Sequence, residues 1–283
     1  MDYKKISEFT TVITGGTPSK VVAEYWDNGD IPWLQSGCCQ NCDVISTERY
    51  ITKAGYDNSS TRLMPKDTVM IALTGATAGK IGYLQFEACG NQSITGILPS
   101  KELNQRYLYY FLLSQRTKIL NDCVGGAQVH ISQSYVKNIQ IPYLPLNQQN
   151  RIVERLTMIS SVISYRQQQL EKLDELVKSR FIELFAGKGY PIRTINEVSL
   201  GKGEYGAQSA STEYDPKRSR YVRITDINDD GTLNDDGVAS INPDDDEQYR
   251  LEYGDFMFAR MGATVGKTYT FISGNQIFAG YLI

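Results

Sequence analysis

Gly262-Ala263-Thr264-Val265-Gly266-Lys267-Thr268 sets two glycines, a lysine and a hydroxyl within one short stretch, the ingredients of a phosphate cradle. A nucleotide-binding P-loop needs four residues between its glycines so that backbone N–H groups encircle the phosphate. Here there are three, and the matching stretch Gly75-Ala76-Thr77-Ala78-Gly79-Lys80, with Ala78 for Val265, continues with Ile81, where a magnesium-binding hydroxyl would be required. The spacing argues against nucleotide hydrolysis. It favours a tight turn between two strands, with Lys80 and Lys267 exposed near its end. Cys38-Cys39-Gln40-Asn41-Cys42 contains C-x-x-C, half of a zinc site, but Cys89, Cys123 and His130 are not paired at ligand spacing. Reduced thiols without metal are the reading. His130 is the only histidine, and nothing around it forms a nucleophile elbow. Asp215-Pro216-Lys217 and Pro243-Asp244 hold fragments of a nuclease-type carboxylate set in an order that does not assemble one. No Asn/Asp-Pro-Pro-aromatic motif of an amino-methyltransferase occurs either. The chain reads as non-catalytic.

What remains is a set of polar side chains on expected loops. They lie in Gly15-Gly16-Thr17-Pro18-Ser19-Lys20, Gln35-Ser36, Asn91-Gln92 and Gly125-Gly126-Ala127-Gln128-Val129-His130. Gln, Asn, Lys and Arg can hydrogen-bond base edges, and backbone N–H groups beside glycine can reach phosphates. The DNA-contacting candidates are therefore Thr17, Ser19, Lys20, Gln35, Lys80, Gln92, Gln128 and His130, with Arg223, Arg260 and Lys267 in the second half. Gln128 and His130 are expected on bases, Lys20 and Lys80 on phosphates. Singly, each reads better as a loop residue without a partner; only as a set do they suggest DNA. Charge does not decide the matter. The net charge is −3, and much of the acid lies in one hydrophilic stretch from Asp226 to Glu247 that reads as a solvated loop.

These residues need elements to hold them, and the chain spells those elements twice. The glycine turn recurs at an offset of 187 residues, Lys80 against Lys267. Upstream, Met64-Pro65-Lys66-Asp67-Thr68-Val69-Met70-Ile71-Ala72 matches Leu251 to Ala259. Downstream, Asn91-Gln92 followed by Gly96-Ile97-Leu98 is matched to Asn275-Gln276 followed by Gly280-Tyr281-Leu282, which places Ile283 near Pro99. So long a period means two copies of a whole domain, the second cut short. Val69 to Leu73 and Lys80 to Leu84 read as strands, and Leu103 to Leu120 as one short helix, so the class is mixed α/β. After Pro142 and Pro145 a long helix is expected, N-capped at Asn147 and closed by Gly187. Ile152, Leu156, Ile159, Ile163, Leu170, Leu173, Val177 and Leu184 lie on a 4-3 seam interrupted by Arg166 and Arg180, so the helix is of coiled-coil type. Such a seam must pack against another helix. The expected domains are 1–145, a spacer helix at 146–187, and an incomplete second copy at 188–283. No apolar run approaches the roughly 20 residues of a membrane span, no signal-like segment opens the chain, and five cysteines fit a reducing compartment. A cytoplasmic protein is expected.

In order and spacing, the chain resembles the specificity subunit of type I restriction-modification enzymes. The features that carry the resemblance are Gly15-Gly16-Thr17-Pro18-Ser19, Ile31-Pro32-Trp33-Leu34, Gly75 to Lys80, Ile131-Ser132-Gln133-Ser134 and Ile139-Gln140-Ile141-Pro142. Pro145-Leu146-Asn147-Gln148-Gln149-Asn150-Arg151-Ile152-Val153 and Ser179-Arg180-Phe181-Ile182-Glu183-Leu184-Phe185 flank the long helix and match as well. The resemblance implies two target-recognition domains, each reading one half of a split site in double-stranded DNA. It implies that the spacer helix binds methyltransferase subunits, which recruit nuclease/translocase subunits. It also implies no cofactor here: S-adenosylmethionine, ATP and Mg²⁺ belong to those partners. The second recognition domain is incomplete and its spacer helix is missing, so the seam would lie unpaired in cis and a homodimer through the helix is open. A protein-interaction adaptor built from tandem domains is the alternative. Salt-dependent binding to duplex DNA separates the two.

Overall fold

The computed structural model describes residues 2–123, 130–241, 249–274, 276–280 and 282–283. The chain divides into two compact units, Met1–Arg180 and Phe181–Ile283. The first is mixed α/β, as expected. Its strands are β1 (Tyr3–Lys5), β2 (Val12–Thr14), β3 (Ile31–Leu34), β4 (Cys42–Val44), β5 (Tyr50–Ile51), β6 (Leu63–Met64), β7 (Val69–Ala72), β8 (Ile81–Leu84), β9 (Ala88–Gly90), β10 (Ile94–Ile97) and β11 (Gln140–Pro142). The helices are α1 (Ile6–Phe9), α2 (Lys53–Asp57), α3 (Gln105–Asp122), α4 (Gln133–Asn138) and α5 (Leu146–Phe185). A five-stranded sheet runs β2-β10-β7-β8-β4, a four-stranded sheet runs β5-β3-β9-β6, and β1 pairs with β11.

Strands β7, β8 and β10 are buried on both faces, which is why they read as continuous apolar runs rather than alternating ones. One face, with Val69, Ile71, Ile81 and Tyr83, packs against Tyr107, Leu108, Leu112 and Ile119 of α3. The other, with Met70, Ala72, Leu84 and Ile94, packs against Leu34, Cys39 and Met64. Helix α3 starts where Asn104 caps it, its side-chain oxygen accepting from the N–H groups of Arg106 at 2.8 Å and Tyr107 at 3.1 Å. Arg106 then clamps Asp43 of β4 through two charge-assisted hydrogen bonds, 2.6 and 2.5 Å, while its guanidinium lies 3.6 Å from the centre of the Tyr83 ring. Burial opposes the Asp43 charge, but the guanidinium overrides it and holds the carboxyl below its ordinary range, while burial pushes the Tyr83 phenol up to about 12. A depressed carboxylate stabilises the fold above its unfolded value of about 3.9, and that contribution is lost as pH falls through the lower folded value. Arg106→Met should cost about 1–2 kcal/mol near neutral pH, discounted because both groups are partly exposed. In denaturant titrations the gap between variant and parent should close below about pH 4.

Helix α5 begins at Leu146, one residue before the expected cap. Pro145 ends the preceding extended stretch, and its carbonyl accepts from the N–H groups of Gln148 and Gln149, so Asn147 lies inside the first turn. At its other end Gly187 takes a positive φ of 67°, as the expected terminating glycine. Gln149 is buried, accepts from the Asn104 N–H at 2.8 Å and donates to the Leu144 carbonyl at 2.8 Å. The polar first turn of α5 is thus a fastener joining it to the start of α3. Ile152 and Val153 pack onto the core, and the Tyr110 hydroxyl meets Thr157 Oγ1 at 3.2 Å. Beyond that point the helix leaves the core, and Ile159, Ile163, Leu170, Leu173 and Val177 are exposed.

The second unit contains α6 (Ile195–Val198), β12 (Thr212–Glu213), β13 (Arg220–Val222), β14 (Ala239–Ser240), β15 (Phe256–Phe258), β16 (Thr268–Thr270) and β17 (Gln276–Phe278). Its four-stranded sheet runs β12-β14-β13-β17, and β15 pairs with β16. Hairpin β15–β16 repeats hairpin β7–β8 bond for bond. Gly79 N–H donates to the Ala72 carbonyl at 2.9 Å, and Gly266 N–H to the Ala259 carbonyl at 2.9 Å. The turn glycines share their left-handed backbone, with φ of 75° and 72° at Gly75 and Gly79 and of 79° and 91° at Gly262 and Gly266. Ala78 and Lys80 N–H groups are also spent inside the first turn. The motif is a strand connection whose own backbone uses the donors a phosphate would need.

The downstream half of the repeat is in a different register from the one read off the sequence. Trp33 and Leu34 pair in parallel with Cys89 and Gly90, as Tyr221 and Val222 do with Ile277 and Phe278. Ala72 faces Ile94, and Ala259 faces Leu282. Gly90 therefore corresponds to Phe278, Gln92 to Gly280, and Ile283 to Thr95 rather than Pro99. The Asn-Gln spelling that both copies carry is not structurally equivalent. Strand pairing sets register, and one residue added between the hairpin and the last strand shifts everything after it.

Candidate nucleic-acid interface

Antiparallel pairing brings the loop after β2, the loop before β10 and the turn after β7 to one end of the five-stranded sheet. Thr95 faces Thr14, and Ile94 faces Ala72. Thr17, Gln92, Thr74 and Lys80 follow from those neighbours. Asn91 N–H donates to the Leu34 carbonyl at 2.9 Å, which adds Gln35 at the end of β3. His130 joins through its bridge to Thr74. Five candidates from distant parts of the sequence (Thr17, Gln35, Lys80, Gln92 and His130) thus gather at one sheet end, and Gln35, Gln92 and His130 are exposed. Gln128 lies outside the described residues.

The backbone beneath them is tightly held. Gly16 N–H donates to the Gly90 carbonyl at 2.8 Å, and the buried Trp33 Nε1 donates to the Gly16 carbonyl at 3.0 Å. Gly15 sits so close to the Gly90 and Asn91 carbonyls that any side chain would collide with them. Thr17 Oγ1 donates to Gln92 Oε1. Asn91 Oδ1 accepts from Ser93 N–H at 3.1 Å, and Thr74 and Ser93 share a hydroxyl contact of 3.0 Å. Ser19 is held by its carbonyl, which accepts from Trp26 Nε1 at 3.0 Å, and Lys20 beside it is exposed. Lys80 Nζ donates to Gln40 Oε1 at 2.6 Å, and Gln40 Nε2 donates to the Gly37 carbonyl at 2.9 Å. Gln40 thus holds Lys80 from a stretch whose cysteines, and not its glutamine, carry the signal in the sequence. Cys39 and Cys89 are buried, and no described His, Cys, Asp or Glu cluster could hold a metal ion.

The second unit reproduces this frame with other side chains. Ala207 N–H donates to the Phe278 carbonyl at 2.8 Å, and Gly206 crowds the Phe278 and Ala279 carbonyls as Gly15 does their counterparts. Tyr221 stands where Trp33 stands, and its hydroxyl donates to the Ala207 carbonyl at 2.9 Å. Arg223 corresponds to Gln35. It is not a free cation: its guanidinium pairs with the buried Asp226 at 2.8 Å and donates to the Gly237 carbonyl at 2.8 Å, and Asp226 holds it protonated. Lys267 reaches the Ile227 carbonyl at 3.1 Å and Asp229 at 2.9 Å, and Arg260 reaches the Gly280 carbonyl at 3.2 Å over the Tyr205 ring. No described helix is long and apolar enough to cross a membrane.

The chain is 30% identical over 195 residues to the EcoR124I/EcoR124II specificity subunit of a type I restriction enzyme from Escherichia coli, covering 63% of this chain and 48% of that protein. It is 31% identical over 191 residues to the MjaIX specificity subunit from Methanocaldococcus jannaschii, covering 64% and 44%. The chain thus spans a little under half the length of these relatives. A solved chain from work on assembly and conformational transition of a type I restriction-modification system shares the fold. It matches with a TM-score of 0.50 at 18% identity, over 62% of this chain and 43% of that one. The family model for the type I restriction modification DNA specificity domain matches residues 1–175, and the chain belongs to that family.

Proposed function

We propose that this chain is a sequence-specific DNA-recognition subunit of a type I restriction-modification complex. Residues 1–145 would form one recognition domain, 146–187 a spacer helix, and 188–283 a second recognition domain. The observation that carries the reading is the sheet end itself: polar side chains from five separate segments displayed on a hydrogen-bonded backbone, in a frame built twice. Base reading needs such preorganised donors and acceptors, with nearby cations positioning the backbone. Catalysis, S-adenosylmethionine, ATP and Mg²⁺ would belong to methyltransferase and nuclease subunits, the former docking on α5.

Duplex DNA titrated at several salt concentrations tests this. DNA recognition gives affinity that falls steeply and linearly on a log–log plot, whereas an adaptor for proteins gives no binding to titrate. Lys80→Ala should weaken all duplexes alike and lower the slope by about one, since Lys80 can exchange its Gln40 contact for a phosphate. A changed target sequence with an unchanged slope would assign Lys80 to a base instead.

A further inference from the structure

Strand pairing sets the two units in a register in which each delivers one carboxamide to the same place, from opposite loops. In the first unit Gln92 comes from the loop before β10, and Thr17 faces it from the loop after β2. In the second unit the corresponding positions are Gly280 and Gln208, so the glutamine has changed loops. Gly280 N–H donates to the Ala207 carbonyl at 2.7 Å, and the Gln208 amide nitrogen fills the space that a Cβ on Gly280 would occupy. Both glutamines therefore stand on the same pinned frame: Gly15 and Gly206 against the strand-end carbonyls, and Trp33 and Tyr221 donating to the Gly16 and Ala207 carbonyls. Gln92 and Gln208 are both exposed.

A carboxamide carries one acceptor oxygen and two N–H donors. The Thr17 hydroxyl donates to Gln92 Oε1, and Nε2 has no hydrogen-bond partner among the described residues. An amide fixed this way presents donors. It favours acceptor edges such as guanine N7 and O6 over adenine, whose bidentate partner must donate and accept together, because one of the two Oε1 lone pairs is already taken by Thr17. We propose that Gln92 and Gln208 are equivalent base-reading side chains of the two units, and that Thr17 is a positioning residue that sets Gln92 to read an acceptor edge. This rests on the DNA-recognition reading above.

The test selects duplexes from a randomised pool with the full chain bound to its methyltransferase subunit, alongside thermal unfolding of each variant. The parent should select a split motif; if it selects none, the DNA-recognition reading fails and this proposal falls with it. Gln92→Ala should relax one base position, and Gln208→Ala a different one in the other half of the motif. Each should lower discrimination there roughly tenfold to hundredfold, with melting unchanged. Thr17→Val frees Oε1 and should shift the Gln92 position towards adenine, whereas Thr17→Ser keeps the parent preference. A parent motif left intact by Gln92→Ala or Gln208→Ala overturns the proposal alone, as does uniform weakening of all sequences. Thr17→Val and Thr17→Ser behaving alike removes the positioning role.

Discussion

Trp33→Ala should cost the first unit about 3–5 kcal/mol, a large part of the 5–15 kcal/mol that holds a typical domain folded. Trp33 is 1% exposed and packs with Ile51 and Cys89, its ring edge-on to Trp26 at 5.0 Å. Truncation empties that cluster and also leaves the Gly16 carbonyl without its donor, because the indole nitrogen holds the loop that carries Thr17. Trp33→Phe separates the two effects. It keeps most of the ring and loses only the hydrogen bond and some volume, so about 1–3 kcal/mol is expected. Both tryptophans of the chain lie in this unit, so the emission of Trp26 follows its urea unfolding in either variant. A loss below about 1 kcal/mol for Trp33→Ala would show that the cluster is not the foundation of the loop.

The second large effect concerns α5. Its 40 residues give a rod of about 60 Å, and after Thr157 its apolar seam is exposed among the described residues. Leu170 and Leu173 are 58% and 56% exposed. Contiguous apolar surface of this kind marks a contact, and in the absence of partner subunits the nearest matching surface is the same helix of a second copy, antiparallel in an isologous pair. Light scattering at tens of micromolar should give a dimer mass. Leu170→Glu with Leu173→Glu should return a monomer with unchanged helix content, because four leucines, each worth about 1.5–3 kcal/mol of burial, leave the interface at once. A parent that is monomeric at that concentration would count against the helix as a docking element. Ile152 belongs to the same seam but packs onto the core of the first unit, and Leu156 is half-buried, so substitutions there should lower stability before they affect association.

Local chemistry made much of this protein legible from its residues alone. Hairpin β7–β8 and its copy follow from apolar runs broken by glycines that need positive φ, and backbone geometry acts within a few residues. Helix α5 follows from a period that its own residues carry, and so does its exposed seam. The order of short motifs along the chain pointed to a family, and the family model for the type I restriction modification DNA specificity domain matches residues 1–175.

Other features depended on residues far apart in the chain meeting. Nothing near Thr17 announces Gln92, 75 residues away, and nothing near Arg223 announces that Asp226 and the Gly237 carbonyl already occupy it. The Asn-Gln spelling shared by both copies suggested one alignment; strand pairing imposed another, because backbone hydrogen bonds count residues and not letters. Sequence alone thus determined the repeated α/β units, the helix and the polar loops. Tertiary structure decided which polar side chains share a sheet end, which cations are already paired, and which glutamine in one unit answers to which in the other. Those outcomes are set by long-range pairing, and long-range pairing leaves no mark on the neighbouring residues.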